Sequence, residues 1–387
     1  MTYWTLTEPD LDRIAIGVGI LGTGGGGSPY QQMLIAKALL RQGKRIRMVR
    51  PVDLPPDAQI IGLGGIGAPT VSIEKMEEGE EGVRVLRAIE AHTGRKVDAV
   101  LGDEVGGGNG IYPMITAAKL DLPVVDADGM GRAFPEVQMT SFFVYGQESQ
   151  PAGLSDAEGN TLVITQASTP EMLEKIMRAA TVAMGCTACM TTAPMTGDFV
   201  RRFGIAHTTS QAWTLGDAVL RARSDKRDPI AAILAEAGGS PLMRGKVTDI
   251  ERRIGGGFVR GRLTVAGLDA DAGRRITIDI QNEYLVATEG EKRLVMVPDL
   301  ICIVDAETGR PIGTEEQRYG LRVAVLAIPA PPLLRTPESL RSMGPRAFGY
   351  DFDFAPFGQS AEARPVAAYT AAATTASTPL VHSGELQ

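Results

Sequence analysis

Runs of glycine constrain this chain more than any other feature of its sequence. Gly22-Thr23-Gly24-Gly25-Gly26-Gly27-Ser28-Pro29, Gly62-Leu63-Gly64-Gly65-Ile66-Gly67, Gly102-Asp103-Glu104-Val105-Gly106-Gly107-Gly108-Asn109-Gly110 and Asp126-Ala127-Asp128-Gly129-Met130-Gly131 each interrupt an apolar stretch. Without a Cβ, such backbone can turn sharply or lie against another backbone or a ligand. The 46 glycines in 387 residues are about 12% of the chain, against roughly 7% in ordinary proteins. They are clustered, lack a three-residue period and sit among good aliphatic segments, which excludes collagen-like and disordered classes. Aromatic residues are only 5% of the chain, so the core is expected to be aliphatic.

At roughly 100–200 residues per domain, this length predicts two domains. Thr7 is placed to cap a first helix, with Pro9 and Asp10 in its opening turn. GTGGGGSP reads as a loop. A second helix is expected from Pro29 to Gly43, burying Met33, Leu34, Ala38 and Leu39. RIRMVR, AQIIGLGGIG, VDAVLG and LPVVDADG then read as strands, alternating with helices at 72–90 and IYPMITAAKLD. This alternation argues for an α/β unit with ligands at the carboxyl ends of its strands. MTSFFVYG and NTLVITQA read as further strands, PEMLEKIMRAATVAMG and 211–238 as helices, and short β segments dominate from 246 onward. The fold class expected is α/β: an N-terminal α/β sheet domain over 1–165, followed by a second, β-rich α+β domain over 166–355. A flexible tail is expected over 356–387.

Charge and composition exclude several classes. Lys plus Arg is 39 against 46 for Asp plus Glu, a formal charge of −7, with no electrostatic footprint for nucleic acid. The basic runs at 41–50 and 221–227 are short and read as solvated faces. The opening residues lack a basic region followed by an apolar core, and no long apolar run follows, so no membrane is expected and the location expected is cytoplasmic. Cys186, Cys189 and Cys302 make no disulfide framework, and His92, His207 and His382 make a three-histidine metal site implausible. Cys186-x-x-Cys189 reads as ordinary packing in a helix-to-loop segment before it reads as a redox or zinc half-site.

The glycine segments carry the candidate chemistry. Thr23, Gly24, Gly25 and Gly26 precede a helix start, where backbone N–H groups can hold a carboxylate, phosphate or ring oxygen. The alternative is close packing between two helices. In the third segment, Asp103 and Glu104 cannot both face one way if extended, so one reaches a ligand and the other anchors the turn. Glu104 and Asn109 are the candidates there. Asp126 and Asp128 would share a strand face beside Arg132, which could hold one carboxylate charged while another acts as a base. The same spacing could hold a divalent cation with outside ligands, although no cofactor is expected. His207 is an acid–base candidate in a polar setting. Asn282, Glu283 and Asp299 could orient a ligand or satisfy backbone between domains. Gly255-Gly256-Gly257 reads as a tight turn.

LGTGGGGSPY, GGIGAPTVSIEK, DEVGGGN, VVDADGMGRAFPE, IQNEYLVA, VPDLICIVD and GPRAFGYD, in this order, resemble the S-methyl thiohydantoin desulfurase-like family, often associated with hydantoin utilisation. The resemblance spans about residues 8–353. It implies an N-terminal α/β domain, a β-containing C-terminal domain, and removal of the S-methyl sulfur substituent from a thiohydantoin; it carries no catalytic assignment. The expected function is hydrolysis or desulfurisation of a small cyclic amide or related anionic metabolite. Glu104 or Asp126 would activate water, with Asp128 and Arg132 tuning the site. The alternatives are a noncatalytic subunit of a hydantoinase-type assembly and a metabolite-binding protein. A homo-oligomer is compatible with this domain size.

Overall fold

A computed structural model describes residues 3–68, 71, 74–255, 257–360 and 362–366. Pro69, Thr70, Gly256 and His382 therefore lie outside the described residues. The first helix, α1 (Glu8–Leu21), starts where Thr7 and Asp10 form a capping box, Thr7 N donating to Asp10 Oδ2 at 2.8 Å. The second, α2 (Pro29–Arg41), starts at Ser28 with Pro29 in its first turn. Its buried face is Gln32, Ala36 and Leu39; of the apolar set expected from the sequence, Leu39 is buried, Met33 is half-buried, and Leu34 and Ala38 are exposed. The helix is rotated so that Gln32 faces inward, toward the cavity described below.

A nine-stranded mixed sheet carries the N-terminal part. Its order is β1 (Trp4–Thr5), β2 (Arg47–Val49), β5 (Pro123–Val125), β4 (Ala99–Gly102), β3 (Gln59–Gly67), β9 (Thr187–Thr191), β7 (Ala152–Ser155) and β8 (Thr161–Ile164), with β10 (Met195–Thr196) also on β3; β6 (Ala127–Asp128) and β11 (Ile205–Ala206) pair apart from it. Strands β2, β5, β4 and β3 are parallel, as the alternating sequence requires. Beyond Leu63, β3 outruns β4 and pairs antiparallel with β9. Its glycines therefore lie within a strand rather than in a loop. Cys189 likewise lies in a strand, pairing with Gly65, while Cys186 sits just before that strand at φ +68. MTSFFVYG forms a short helix, Ser141–Val144, because Thr140 Oγ1 accepts from Phe143 N at 3.2 Å and closes its first turn. The helix expected over 72–90 is resolved as Glu81–Thr93.

The second sheet is antiparallel throughout, in the order β16 (Lys292–Met296), β15 (Glu283–Glu289), β14 (Arg275–Gln281), β13 (Phe258–Gly267), β12 (Ser240–Gly255), β18 (Arg322–Ile328) and β17 (Leu300–Asp305). It curls until β17 packs against β15 and β16. Alternate residues of β14, Ile276, Ile278 and Ile280, enter the enclosed core with Val265, Val325 and Tyr284, as the two-residue period of a strand dictates. The opening of the expected tail is pinned rather than loose: Phe357 N donates to Asp299 Oδ2 at 2.7 Å and Arg335 to Gly358 O at 3.1 Å.

Candidate functional site

A cavity of about 250 Å3 lies where the carboxyl ends of β3 and β4 meet the start of β15. All four N-terminal glycine segments contribute to its wall, through Gly26 and Gly27, Gly64 to Gly67, Asp103, Glu104 and Asn109, and Met130 with Phe134. The C-terminal part supplies Arg178, Asn282 and Glu283.

The backbone turns after Gly102, so Asp103 and Glu104 both line the cavity rather than facing apart. Asp103 is the less satisfied of the two. Its Oδ2 is buried without a hydrogen-bond partner among the described residues. The carboxyl rests on β3, where a Cβ added at Gly62 would lie 2.9 Å from Asp103 Cγ. Burial pushes its pKa up to about 7. Glu104 is held firmly: Asn109 Nδ2 donates to Oε1, and Phe134 N to Oε2 at 3.0 Å. Burial outweighs these donors and moves Glu104 up to about 8. Asn109 is itself fixed on the glycine strand, its Oδ1 accepting from Gly65 N at 2.7 Å.

Glu283 reaches the same cavity from the second sheet. It is 2% exposed, and its Oε2 has no partner among the described residues. Burial, then the nearby Glu104 charge, hold its pKa well above the ordinary carboxyl range. Its neighbour Asn282 has φ +57 and braces the β12–β13 hairpin, Oδ1 accepting from Val259 N at 2.9 Å. Asp103, Glu104 and Glu283 thus meet in one cavity, Asp103 and Glu104 at pKa values suited to moving protons near neutrality and Glu283 raised well above the ordinary carboxyl range.

The remaining candidates lie elsewhere, each for a visible reason. Asp126 does not line the cavity; its carboxylate accepts from Tyr3 Oη at 2.6 Å, Ser210 N at 3.1 Å and Ser210 Oγ at 2.7 Å, with His207 Nδ1 at 3.1 Å. This occupies both Asp126 and His207 in anchoring the helix that begins at Thr208. Asp128 Oδ2 collects Val105 N, Met130 N and Gly131 N at 2.7–3.1 Å, fixing two glycine loops to each other. Arg132 does not pair with Asp128. Fully buried, it donates to Ala133 O, Pro298 O, Asp299 O, Tyr284 O and Thr23 Oγ1, and burial lowers its pKa to about 10. Asp299 is occupied by Ala330 N, Phe357 N and Arg335. Thr23 and Gly24 bind the second sheet through Tyr284 N and Thr314 N, and Gly25 lies behind Glu283. Among the described residues, no group of three or more His, Cys, Asp or Glu side chains is arranged to hold a metal ion.

Asp103, Gln32 and Glu77 are among the cavity residues that the sequence does not single out: the Asp103–Glu104 pair leaves open which carboxylate reaches a ligand, and Gln32 and Glu77 carry no local signal. Gln32 Nε2 donates to Glu77 Oε1 at 2.8 Å; burial, then the Glu81 charge, raise Glu77 to about 7.

Family models described as "S-Me-THD-like, N-terminal domain" and "S-Me-THD-like, C-terminal domain" match residues 9–166 and 168–357. A crystal structure of a protein from Chromobacterium violaceum, a structural-genomics target, is similar in fold, with a TM-score of 0.73 and 24% identity. The match covers 91% of this chain and 99% of that one. Among curated proteins, none matches this chain. No helix among the described residues is long and apolar enough to cross a membrane.

Proposed function

The chain belongs to the S-Me-THD-like family, and from that premise we propose that it hydrolyses S-methyl thiohydantoins to hydantoin and methanethiol. The observation that carries this reading is the convergence of Asp103, Glu104 and Glu283 on one glycine-walled cavity. The reaction needs a base for water and an acid for the ring. A water molecule adds to the ring carbon bearing sulfur, forming a C–O bond and giving one proton to the Asp103 carboxylate. Glu283, held protonated, donates its proton to the adjacent ring nitrogen as the C=N bond opens. Collapse of the adduct breaks the C–S bond, and the thiolate leaves as methanethiol with the proton taken up by Asp103. Loss of the second hydroxyl proton to Glu283 restores both carboxyl groups and leaves the hydantoin carbonyl. Glu104, fixed by Asn109 and Phe134 N, orients the ring amide.

Purified protein supplied with S-methyl thiohydantoin alone tests this reading. Thiol release equal to hydantoin formed is expected, and Asp103→Asn or Glu283→Gln lowers the rate about 100-fold or more while the fold persists. Full activity in both variants overturns the assignment of roles. Ring binding without turnover, with activity restored by a second protein, supports an accessory-subunit function instead.

A further inference from the structure

The helix Pro170–Ala183, capped by Thr169, turns one face inward, with Leu173, Glu174, Met177, Arg178 and Thr181 buried. Glu174 and Arg178 stand one turn apart on that face, and Arg178 Nε donates to Glu174 Oε1 at 2.6 Å. A buried ion pair offsets its desolvation only where the remaining donors and acceptors also find partners. Here they do, and the partners belong to two different walls of the cavity. Glu174 Oε2 accepts from Val137 N at 3.0 Å, and Arg178 Nη2 donates to Pro135 O at 2.9 Å. Together these hold the segment whose Phe134 N donates to Glu104. On its other side Arg178 Nη1 donates to Gly257 O at 3.4 Å, and the guanidinium carbon stacks 4.4 Å from the centre of the Phe258 ring. The next residue of that hairpin, Val259, is tied to Asn282 through both its N–H and its carbonyl, and Asn282 leads directly into Glu283. The turn closes tightly on the arginine stem: a Cβ added at Gly257 would lie 2.5 Å from Arg178 Cδ. One side chain thus joins the wall that fixes Glu104 to the hairpin that braces the start of β15.

We infer that Arg178 is a positioning residue: its guanidinium clasps residues 134–137 to residues 257–259 and so holds Glu104 and Glu283 in register across the cavity. Its part in turnover rests on the hydrolysis proposed above, whereas the clasp can be tested without any ligand. Arg178 lines the cavity, but these bonds all go to protein, so its loss is expected in kcat rather than in KM.

Hydrogen exchange of the ligand-free protein, read by mass spectrometry, tests the clasp. Arg178→Lys keeps the charge but not the planar fork. Exchange at 134–137 and at 257–259 is expected to quicken about 10-fold or more in this variant, while β14 stays within about 2-fold of the parent. Gly257→Ala is the second variant, pressing on the arginine from the hairpin side. There the telling segment is 134–137, across the clasp, whose exchange is expected to quicken about 5-fold or more. Thiol release from S-methyl thiohydantoin is followed in parallel, and kcat is expected to fall about 10-fold or more in both variants with KM within about 3-fold. Unchanged exchange at 134–137 in both variants, or a uniform rise across the whole fold, overturns the inference. So does quickened exchange with kcat unchanged, or a KM that rises about 10-fold while kcat holds, which makes Arg178 a ligand contact. A parent protein that releases no thiol overturns the hydrolysis alone, and exchange then decides the clasp.

Discussion

Glu283 occupies the space that a side chain on Gly25 would fill: a Cβ added there would lie 2.6 Å from Glu283 Cδ and 2.7 Å from its Cγ. A carboxyl from the second sheet is thus seated directly on the first glycine loop. Gly25→Ala therefore displaces the carboxyl proposed as the acid, and a fall in turnover of about 10-fold or more is expected with a stability loss of about 1–3 kcal/mol. Gly26→Ala is the contrasting case. Its Cβ would lie 2.6 Å from the backbone carbon of Gly106, and its φ is +74, so stability suffers more than in Gly25→Ala. Melting temperatures and rates of thiol release on both variants separate the two effects.

Asp103 should reveal itself in stability as well as in rate. Its folded pKa of about 7 lies above the ordinary 3.8, so the folded protein binds more protons than the unfolded chain between those values. Stability associated with this group is complete below about pH 4 and is lost as pH rises toward 7. Asp103→Asn removes that loss. It is expected to stabilise the protein at pH 7–8 by on the order of 2–4 kcal/mol, and hardly at all at pH 4. Urea unfolding at both pH values checks this; equal effects at the two would remove the buried, unpaired carboxyl from the explanation.

The pH dependence of kcat/KM follows from the same groups. Asp103 must be ionised and Glu283 protonated, so activity rises through about pH 7 and falls when Glu283, which burial holds well above the ordinary carboxyl range, loses its proton. A profile that is highest at pH 5 and declines through 7 contradicts these roles.

Arg132 joins the two parts of the molecule through five acceptors, among them Thr23 Oγ1 and the carbonyls of Tyr284 and Pro298. A lysine keeps the charge but not the planar fork. Arg132→Lys is expected to cost about 2–4 kcal/mol, read from the urea midpoint.

Asp126 gives the opposite pattern from Asp103. Asp126→Asn weakens the bonds to Tyr3, His207 and Ser210 and costs about 1–3 kcal/mol. Turnover per folded molecule is expected to stay within about 3-fold of the parent, because this carboxylate lies outside the cavity.

The sequence alone determined the alternation of strands and helices, the parallel core of the first sheet, the β-rich second half and the glycine segments at strand ends. These follow from periodicities and caps that act over a few residues, as the Thr7–Asp10 box and the alternating isoleucines of β14 illustrate. Only the tertiary structure decided which polar groups share a site. The quoted spacing made Asp126, Asp128 and Arg132 one cluster. In the fold, Asp126 turns to Tyr3 and Ser210 while Arg132 turns to Thr23 and the second sheet. Glu283, 179 positions beyond Glu104 in the chain, lines the same cavity. No local period encodes that meeting. It depends on where β15 begins relative to two glycine loops, and on the missing side chains that let the carboxyl groups lie against backbone.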